Sequence, residues 1–327
     1  MTIDPRLVIQ MLAISQYGSI SRAAAALHMS QPALSNGVAL LERQLGVRVL
    51  ERSRHGSKLT EYGEAVARCA DAVDSHINNL MADVRARSKG SAGTLRLGVT
   101  PIAGYTFVPE AIADLAELMP GLAISMKEAP DDQLSELLES GKIDLAICPI
   151  GTGPAQSAIL EEGLFTDPFS LVLRKGHELS RATTVSIADV IDEQWILPHP
   201  GSAFRRQVEA IFLTCGFPVP ADSINTNSSA MLEKLLLRTD RIAIMSDWYV
   251  RSLDRTKYSR VALRHIGAPR TIGFRRLRNV QLSPSADTFV EIMRRRAAAS
   301  VVTFCPPEKS AKKPAARSLS LSRSDCK

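Results

Sequence analysis

Two short helical patterns lie on either side of a tight polar turn near the N-terminus. Residues 21–27 consist mainly of alanine and leucine, which are strong helix formers. After His28 and Met29, Ser30 is a favourable N-cap, and Pro32 lies in the first turn of the next helix, where its missing N–H costs little. Two helices of this size joined by a turn indicate a helix-turn-helix, whose second helix can enter the major groove of DNA.

The second helical pattern has an apolar face and a polar face. Gln31, Ser35 and Asn36 form the polar face, and the amides of glutamine and asparagine can pair bidentately with adenine. Ser35 is equally suited to a phosphate contact or to plain exposure to solvent. The apolar face consists of Ala33, Leu34, Val38 and Leu41.

A polar, glycine-containing segment follows, between Val49-Leu50 and Lys58-Leu59. This pattern predicts a short β-hairpin crowded with basic side chains. A hairpin beside a helix-turn-helix is a wing, and its basic residues contact phosphates or enter the minor groove. The alternative is a small helical bundle with a solvated basic edge. The predicted DNA-binding residues are Ser21, Ser30, Gln31, Pro32, Ala33, Ser35, Asn36, Arg52, Arg54, His55 and Lys58.

The segment 61–90 carries a heptad pattern. Its apolar residues alternate at spacings of four and three, and the small Ala70 permits close approach of two helices. We predict a linker helix that pairs with a second copy of the chain; packing on its own domain is the alternative. A dimer would present two heads to a pseudo-palindromic DNA site. The pattern consists of Val66, Ala70, Val73, Ile77, Leu80 and Val84.

Strand and helix patterns alternate after residue 93. Predicted strands cover 94–99, 122–127 and 143–148, and predicted helices cover 105–118 and 131–140. This order predicts a parallel sheet with crossover helices. A second α/β unit begins with a predicted strand at 165–173, and the chain returns to the first unit at 271–277 before a final helix at 285–298.

Ligands of such sheets bind beyond the carboxyl ends of the strands, at helix N-termini. The hydroxyls and amides at these positions favour a small polar or anionic ligand, and Arg205 is suited to hold a carboxylate bidentately. The alternative is that residues such as Ser202, Asn227 and Ser228 only cap helices. The predicted effector-binding residues are Thr100, Ile102, Gln133, Ile150, Ser202, Phe204, Arg205, Asn227, Ser228 and Ser246.

Charge and cysteine content limit the remaining possibilities. Residues 1–90 hold 11 Lys/Arg and 8 Asp/Glu, whereas residues 91–307 hold 23 and 24, so only the head is suited to a polyanion.

The N-terminus resembles no signal peptide, and no apolar run is long enough for a membrane helix, which predicts a cytoplasmic protein. The five scattered cysteines have no metal-ligand spacing, so we expect neither a disulfide framework nor a metal site.

The N-terminal region resembles the winged helix-turn-helix of LysR-type transcriptional regulators. The matching residues are SRAAAALHMSQPALSNGVALLERQLGVRVLERS followed by LTEYGEAV. The chain departs from the family at Asn36-Gly37, where a basic or larger polar residue is common. Two body segments, HPGSAFRRQVE and GFRRLRNVQLSPSADTF, are most similar to the branch of galactose-binding-protein regulators, which implies a sugar-derived or other small carbon-source ligand.

The resemblance implies an all-α winged helix-turn-helix head, a long linker helix and a two-lobed α/β effector domain that is periplasmic-binding-protein-like. It also implies homodimers formed through the linker helix, and homotetramers. The expected division is a DNA-binding domain at 1–60, a linker helix at 61–90, an effector domain at 91–304 and a disordered basic tail at 305–327. Lobe I is expected at 91–163 and 268–304, and lobe II at 164–267.

These patterns predict a transcriptional regulator that binds double-stranded DNA and a small-molecule effector, without a cofactor. A redox-sensing regulator that uses Cys148 or Cys215 is one alternative. A second alternative is a small-molecule-binding protein or an enzyme with an incidental helix-turn-helix. The enzyme alternative lacks support because the chain has no nucleophile elbow, P-loop, HExxH motif or spaced Cys/His cluster.

Overall fold

Three helices and a hairpin form the N-terminal head in the computed structural model. The structure describes residues 3–53, 56–88, 91–152, 156–264, 267 and 269–304. Helices α1 (Pro5–Tyr17), α2 (Ile20–Ala26) and α3 (Gln31–Leu45) precede strands β1 (Leu50–Ser53) and β2 (Gly56–Leu59).

The helices of the head begin at side-chain caps. Asp4, Ser19 and Ser30 each accept a hydrogen bond from a backbone N–H in the first turn of α1, α2 and α3. Helices α1 and α3 end at Gly18 and Gly46, both in the left-handed conformation. The buried core between the helices consists of Leu7, Met11, Ala13, Ile14, Ala23, Ala24, Leu34, Val38, Leu41, Val49 and Leu50.

The predicted hairpin is present as an antiparallel pair in which Leu50 lies opposite Leu59. Helix α3 fixes its start, because Glu42 Oε1 accepts hydrogen bonds from the backbone N–H groups of Val49 (2.9 Å) and Leu50 (3.3 Å). These bonds hold the hairpin beside the C-terminal half of α3.

One long helix, α4 (Glu61–Ser88), leads from the head to the body and packs against α1. It passes so close to the preceding loop that a Cβ on Gly63 would lie 2.1 Å from the carbonyl oxygen of Val49. The two halves of the heptad pattern differ in environment. Ala70 is fully buried, whereas Ile77, Leu80 and Val84 are 46%, 62% and 55% exposed.

The body contains two α/β lobes. Its helices are α5 (Val108–Leu118), α6 (Asp131–Glu139), α7 (Ala203–Thr214), α8 (Ser229–Arg238), α9 (Asp247–Ser252) and α10 (Pro284–Phe304). Its strands are β3 (Thr94–Val99), β4 (Ala123–Glu128), β5 (Leu145–Ile150), β6 (Ile159–Asp167), β7 (Phe169–Arg174), β8 (Thr184–Val185), β9 (Trp195–Leu197), β10 (Ser223–Asn225), β11 (Ala243–Ser246), β12 (Tyr258–Leu263) and β13 (Arg270–Leu277).

The first lobe is built on a mixed five-stranded sheet of order β4-β3-β5-β13-β6. Strands β3, β4 and β5 are parallel, as the alternation of strands and helices predicted. The returning strand β13 is antiparallel to both β5 and β6. Helices α5 and α10 cover the core of this lobe.

The second lobe contains the sheet β11-β7-β12-β8 and the parallel pair β9-β10. The single strand predicted at 165–173 is in fact two strands, one in each lobe, because Pro168 separates β6 from β7. Proline lacks the N–H that a ladder needs. The lobe boundary expected at 163/164 therefore falls at Pro168, and the second crossing lies between Leu263 and Arg270.

Candidate functional site

The polar face of α3 is accessible from solvent. Gln31, Pro32, Ala33 and Asn36 are exposed, and Ser35 is half-buried. The helix is anchored by its opposite face, where Leu34, Val38 and Leu41 are buried. The first two turns of α3 thus present amide side chains on a rigid support, as base contacts in a major groove require.

Two serines before this face have defined structural positions. Ser30 Oγ accepts a hydrogen bond from the backbone N–H of Ala33 at 3.3 Å, so its hydroxyl caps α3. Ser21 Oγ, on α2, donates to Gln31 Oε1 at 3.2 Å. This bond links the two helices and orients the Gln31 amide.

Gly37 has a packing role in this helix. A Cβ at this position would lie 2.1 Å from Gln10 Oε1, so the missing side chain makes room for α1. Glycine is a poor helix former, so α3 accepts a lower helix propensity here in exchange for its contact with α1.

The wing contributes one described basic side chain, that of Lys58, which is exposed opposite Glu51. The backbone of Arg52 pairs with that of Ser57. Arg54 and His55 lie outside the described residues.

A second candidate site is a cavity of about 190 Å³ between the two lobes. It is lined mainly by apolar side chains from both lobes. Six of the residues predicted from strand ends line it: Thr100, Ile102, Ser202, Phe204, Asn227 and Ser228.

Four predicted residues do not line this cavity. Gln133 is exposed on the outside of α6, and the Cδ1 of Ile150 lies 3.4 Å from the Cβ position of Gly163. Ser246 is fully buried, caps α9 and donates to Asp167.

Arg205, the fourth of these residues, has its donors directed into its own lobe. Its Nε donates to Glu209 Oε1 at 2.7 Å, one turn along α7. Its Nη1 donates to the carbonyl oxygen of Pro198 and to Asn225 Oδ1. The guanidinium therefore ties α7 to the ends of β9 and β10, and the expected grip on a carboxylate has no support in this geometry.

Sequence reasoning missed the two tyrosines and the charged residues of the cavity. Tyr105 and Tyr249 meet edge to face with ring centroids 4.8 Å apart. Tyr249 lies on the short helix α9, which has no pattern of its own in the sequence. Arg270 lies at the start of the returning strand β13, and Asp131 begins α6. The sequence feature that could have identified Arg270 is a basic residue at the start of the strand that returns to the first lobe.

Each charged group at the cavity has a partner. The Nε of Arg270 donates to Asp167 Oδ2 at 2.9 Å, and its guanidinium carbon lies 5.0 Å and 5.5 Å from the ring centroids of Phe169 and Phe204. Asp131 accepts from Arg275 Nη1 at 2.5 Å. In contrast, the hydroxyl of Thr100 is buried and has no hydrogen-bond partner among the described residues.

Cys148 does not have the surroundings of a reactive thiol. Cys148 is fully buried in β5, and this burial raises the pKa of its thiol far above the ordinary value. Reactive thiols need the opposite conditions, exposure and a lowered pKa. Cys215 is half-buried at the C-terminal cap of α7, and Cys69 is exposed on α4. Cys305 and Cys326 lie outside the described residues.

No helix among the described residues combines the length and apolar character needed to cross a membrane. No group of three or more His, Cys, Asp or Glu side chains in the same residues is placed to hold a metal ion.

Comparison with known proteins identifies the family. Residues 88–298 match the profile of the LysR substrate binding domain, and residues 6–64 match that of the bacterial regulatory helix-turn-helix protein, lysR family. The chain belongs to the LysR family. These regulators combine a helix-turn-helix head with an effector-binding domain, which confirms the fold and the class of function predicted from the sequence.

Several LysR-family proteins are similar over most of the chain. The HTH-type transcriptional regulator GbpR of Rhizobium radiobacter is 30% identical over 70% of this chain and 77% of its own length. The hydrogen peroxide-inducible genes activator of Dickeya chrysanthemi is 28% identical over 63% of this chain and 67% of its own. The crystal structure of full-length CbnR with its target DNA has a TM-score of 0.64 at 20% identity and covers 90% of this chain and all of its own.

Proposed function

We propose that this LysR-family chain binds double-stranded DNA at a pseudo-palindromic operator and regulates transcription in response to an effector held between its lobes. The observation that carries the proposal is the exposed polar face at the start of α3, where Gln31 is held by Ser21, together with the exposed Lys58 on the wing. CbnR, which has the same fold, is described in complex with its target DNA.

The assembly we propose is a homodimer formed through α4, with two dimers joined into a tetramer. Ile77, Leu80 and Val84 repeat at heptad spacing and are about half or more exposed in the single chain. Such an apolar stripe is buried when a second copy packs on it. A two-fold axis there would present two α3 helices to the half-sites of an operator.

We propose that residues 1–60 recognise DNA, residues 61–90 pair two copies of the chain and residues 91–304 bind the effector. Residues 305–327 form a basic extension. Since the partner is chromosomal DNA, the protein acts in the cytoplasm. The relatives are named as transcriptional regulators, which supports a chain that binds its effector without transforming it.

An operator-binding experiment tests this proposal. The wild-type chain should select a DNA site from a random pool, with an affinity that falls steeply with salt because phosphate contacts release counterions. Gln31→Ala should relax base selection at about one position per half-site. Lys58→Ala and Arg52→Ala should weaken binding to every sequence and lower the salt slope by about one each.

The matched control is Lys127→Ala, on the exposed edge strand β4 of the first lobe. It removes the same charge far from α3 and should leave DNA affinity unchanged. Binding without sequence preference in the wild type, or equal losses in Gln31→Ala and Lys58→Ala at all sequences, would refute the assignment of α3 as the reading helix.

A further inference from the structure

We propose that the effector is a neutral, predominantly apolar molecule about the size of one aromatic ring, with a single hydrogen-bonding group that pairs with Thr100. The inference rests on the proposed role of the inter-lobe cavity as the effector site. It concerns the chemical class of the ligand, and four properties of the cavity lead to it.

The first property is the apolar wall. The cavity is lined by Ile102, Phe204, Leu232 and Met245, together with the paired rings of Tyr105 and Tyr249. The tyrosine hydroxyls are already engaged: that of Tyr105 lies 2.7 Å from Ser229 Oγ, and that of Tyr249 donates to Glu233. Such a lining stabilises a ligand by removing its apolar surface from water.

The second property is that most polar side chains of the lining are already bonded within the protein. Ser202 Oγ donates to the carbonyl oxygen of His199 at 2.9 Å, and Asn227 Oδ1 accepts from the N–H of the same residue at 2.9 Å. Thr226 Oγ1 accepts from the N–H of Ser228 at 3.1 Å. A sugar needs many free partners for its hydroxyls, and each one left unpaired in a buried site is costly.

The third property is that the charged side chains of the lining are already paired within the protein. Arg270 pairs with Asp167, and Asp131 pairs with Arg275, which also binds Glu161. Of these five residues Asp131 and Arg270 line the cavity, and their charges are opposite in sign. A charged ligand would lose its hydration without gaining an unpaired counter-ion, so the lining favours a neutral effector.

The fourth property is a buried hydroxyl of the lining that lacks a partner among the described residues. Thr100 is 7% exposed, its Oγ1 has no hydrogen bond among the described residues, and it lines the cavity. Its backbone N–H is fixed to the carbonyl oxygen of Ile147 at 3.1 Å, so the position of the side chain is set by β5. A buried hydroxyl without a partner is rare in proteins, and a ligand hydroxyl or carbonyl would satisfy it.

The volume limits the size of the ligand. A cavity of about 150 Å³ lined by apolar side chains admits benzene in another protein. The present cavity of about 190 Å³ therefore has room for one ring and a short polar substituent. Benzyl alcohol combines these features and serves as the probe.

Calorimetric titration of the full-length protein tests the ligand class. We expect benzyl alcohol to bind at least tenfold more tightly than benzoate, benzylamine or galactose. Benzoate and benzylamine share its ring but carry a negative or a positive charge, and galactose is neutral but has many hydroxyls. Toluene, which lacks the hydroxyl, should bind about 3- to 10-fold more weakly than benzyl alcohol, as the loss of one hydrogen bond predicts.

Three variants locate the probe. Thr100→Val, which has nearly the same shape, should reduce the affinity for benzyl alcohol to that for toluene and leave toluene binding unchanged. Thr184→Val, on β8 away from the cavity, is the matched control and should change neither affinity. Ile102→Trp fills the cavity and should abolish binding of both probes, which gives a second test if Thr100→Val does not fold.

The proposal is overturned if benzoate, benzylamine or galactose binds as tightly as benzyl alcohol, if benzyl alcohol shows no saturable binding, or if Ile102→Trp leaves its affinity unchanged. Operator binding is measured on the same preparations. If the protein selects its operator but fails these titrations, only the proposed ligand class is refuted. If it binds benzyl alcohol but no specific DNA, the proposed function is refuted.

Discussion

The side-chain amide of Asn79 donates a hydrogen bond of 2.8 Å to the carbonyl oxygen of Gly141. The bond joins the linker helix α4 to the turn that follows α6 in the first lobe. Beside it, Lys142 Nζ lies 2.6 Å from Asp71 Oδ2. The opposite end of α6 begins at Asp131, which lines the inter-lobe cavity. A single nine-residue helix thus spans the distance between the cavity and the linker helix.

The first prediction concerns Gly141. It has a φ of +66°, and a Cβ there would lie 2.7 Å from His76 Cε1 on α4. Gly141→Ala should therefore destabilise the protein by about 1–3 kcal/mol, mainly from left-handed backbone strain, with a smaller contribution from displacement of the exposed His76 ring. Gly121→Ala is the matched control, since Gly121 has a φ of +83° but open space around it. This variant should lose only the part of the unfolding free energy that comes from left-handed backbone strain. Urea unfolding would measure both, and equal losses would contradict a tight contact with α4.

The second prediction concerns the bond between Ser21 and Gln31. Gln31→Ala should reduce discrimination at one base pair by about 1–3 kcal/mol. Ser21→Ala frees the Gln31 amide and should reduce the same discrimination by a smaller amount, while Ser21→Ala/Gln31→Ala should equal Gln31→Ala alone. Ser15→Ala, an exposed serine on α1, is the control. Additive losses in competition binding would show that Ser21 acts independently of Gln31.

The third prediction concerns Gly37 and Gln10, whose Oε1 would lie 2.1 Å from an added Cβ. Gly37→Ala alone should give little gain in stability, because the improved helix propensity is offset by displacement of the glutamine. In a Gln10→Ala background, the same change should stabilise the head by about 0.5–1 kcal/mol. Thermal unfolding of the four proteins in this cycle measures the coupling. An equal effect of Gly37→Ala in both backgrounds would exclude it.

The fourth prediction compares a buried and an exposed ion pair. The Asp167 side chain is fully buried, and that of its partner Arg270 is 6% exposed. Asp167→Asn should destabilise the effector domain by about 3–5 kcal/mol, since it leaves an uncompensated buried cation. Asp240→Asn removes a partner of Arg174 at a position that is 69% exposed and should cost less than about 1 kcal/mol. A similar loss of stability in both variants, measured by urea unfolding, would be inconsistent with this account.

The fifth prediction concerns pairing through α4. Leu80→Glu places a charge in the exposed heptad stripe and should break the pairing through α4. The proposed tetramer should then dissociate at micromolar concentration into dimers held by its other interface. Leu213→Glu is the control, because Leu213 is similarly exposed (66% against 62%) but lies on α7. Sedimentation velocity distinguishes the two species. A tetramer that survives Leu80→Glu would show that α4 does not form one of its interfaces.

The features that sequence reasoning predicted well are those encoded locally. Ser30 and Pro32 mark the start of α3 because caps and first-turn prolines act within a few residues. The charged lining of the cavity depends on partners that are distant in the chain: Arg270 is matched by Asp167, 103 residues earlier. Arg205 shows the converse. Its position after a strand end suggested a ligand contact, but Glu209 and Asn225 take up its donors.

The connection through Pro168 determines how the lobes can move. Strands β6 and β7 are separated by this one residue, and the second crossing ends at Arg270, opposite Asp167 in the ladder. One residue spans at most about 3.6 Å, so the two lobes are held close together at this point. A change in their relative orientation would therefore be mainly a rotation about the two crossings. The buried Asp167–Arg270 pair lies beside both crossings, where such a rotation would displace it least.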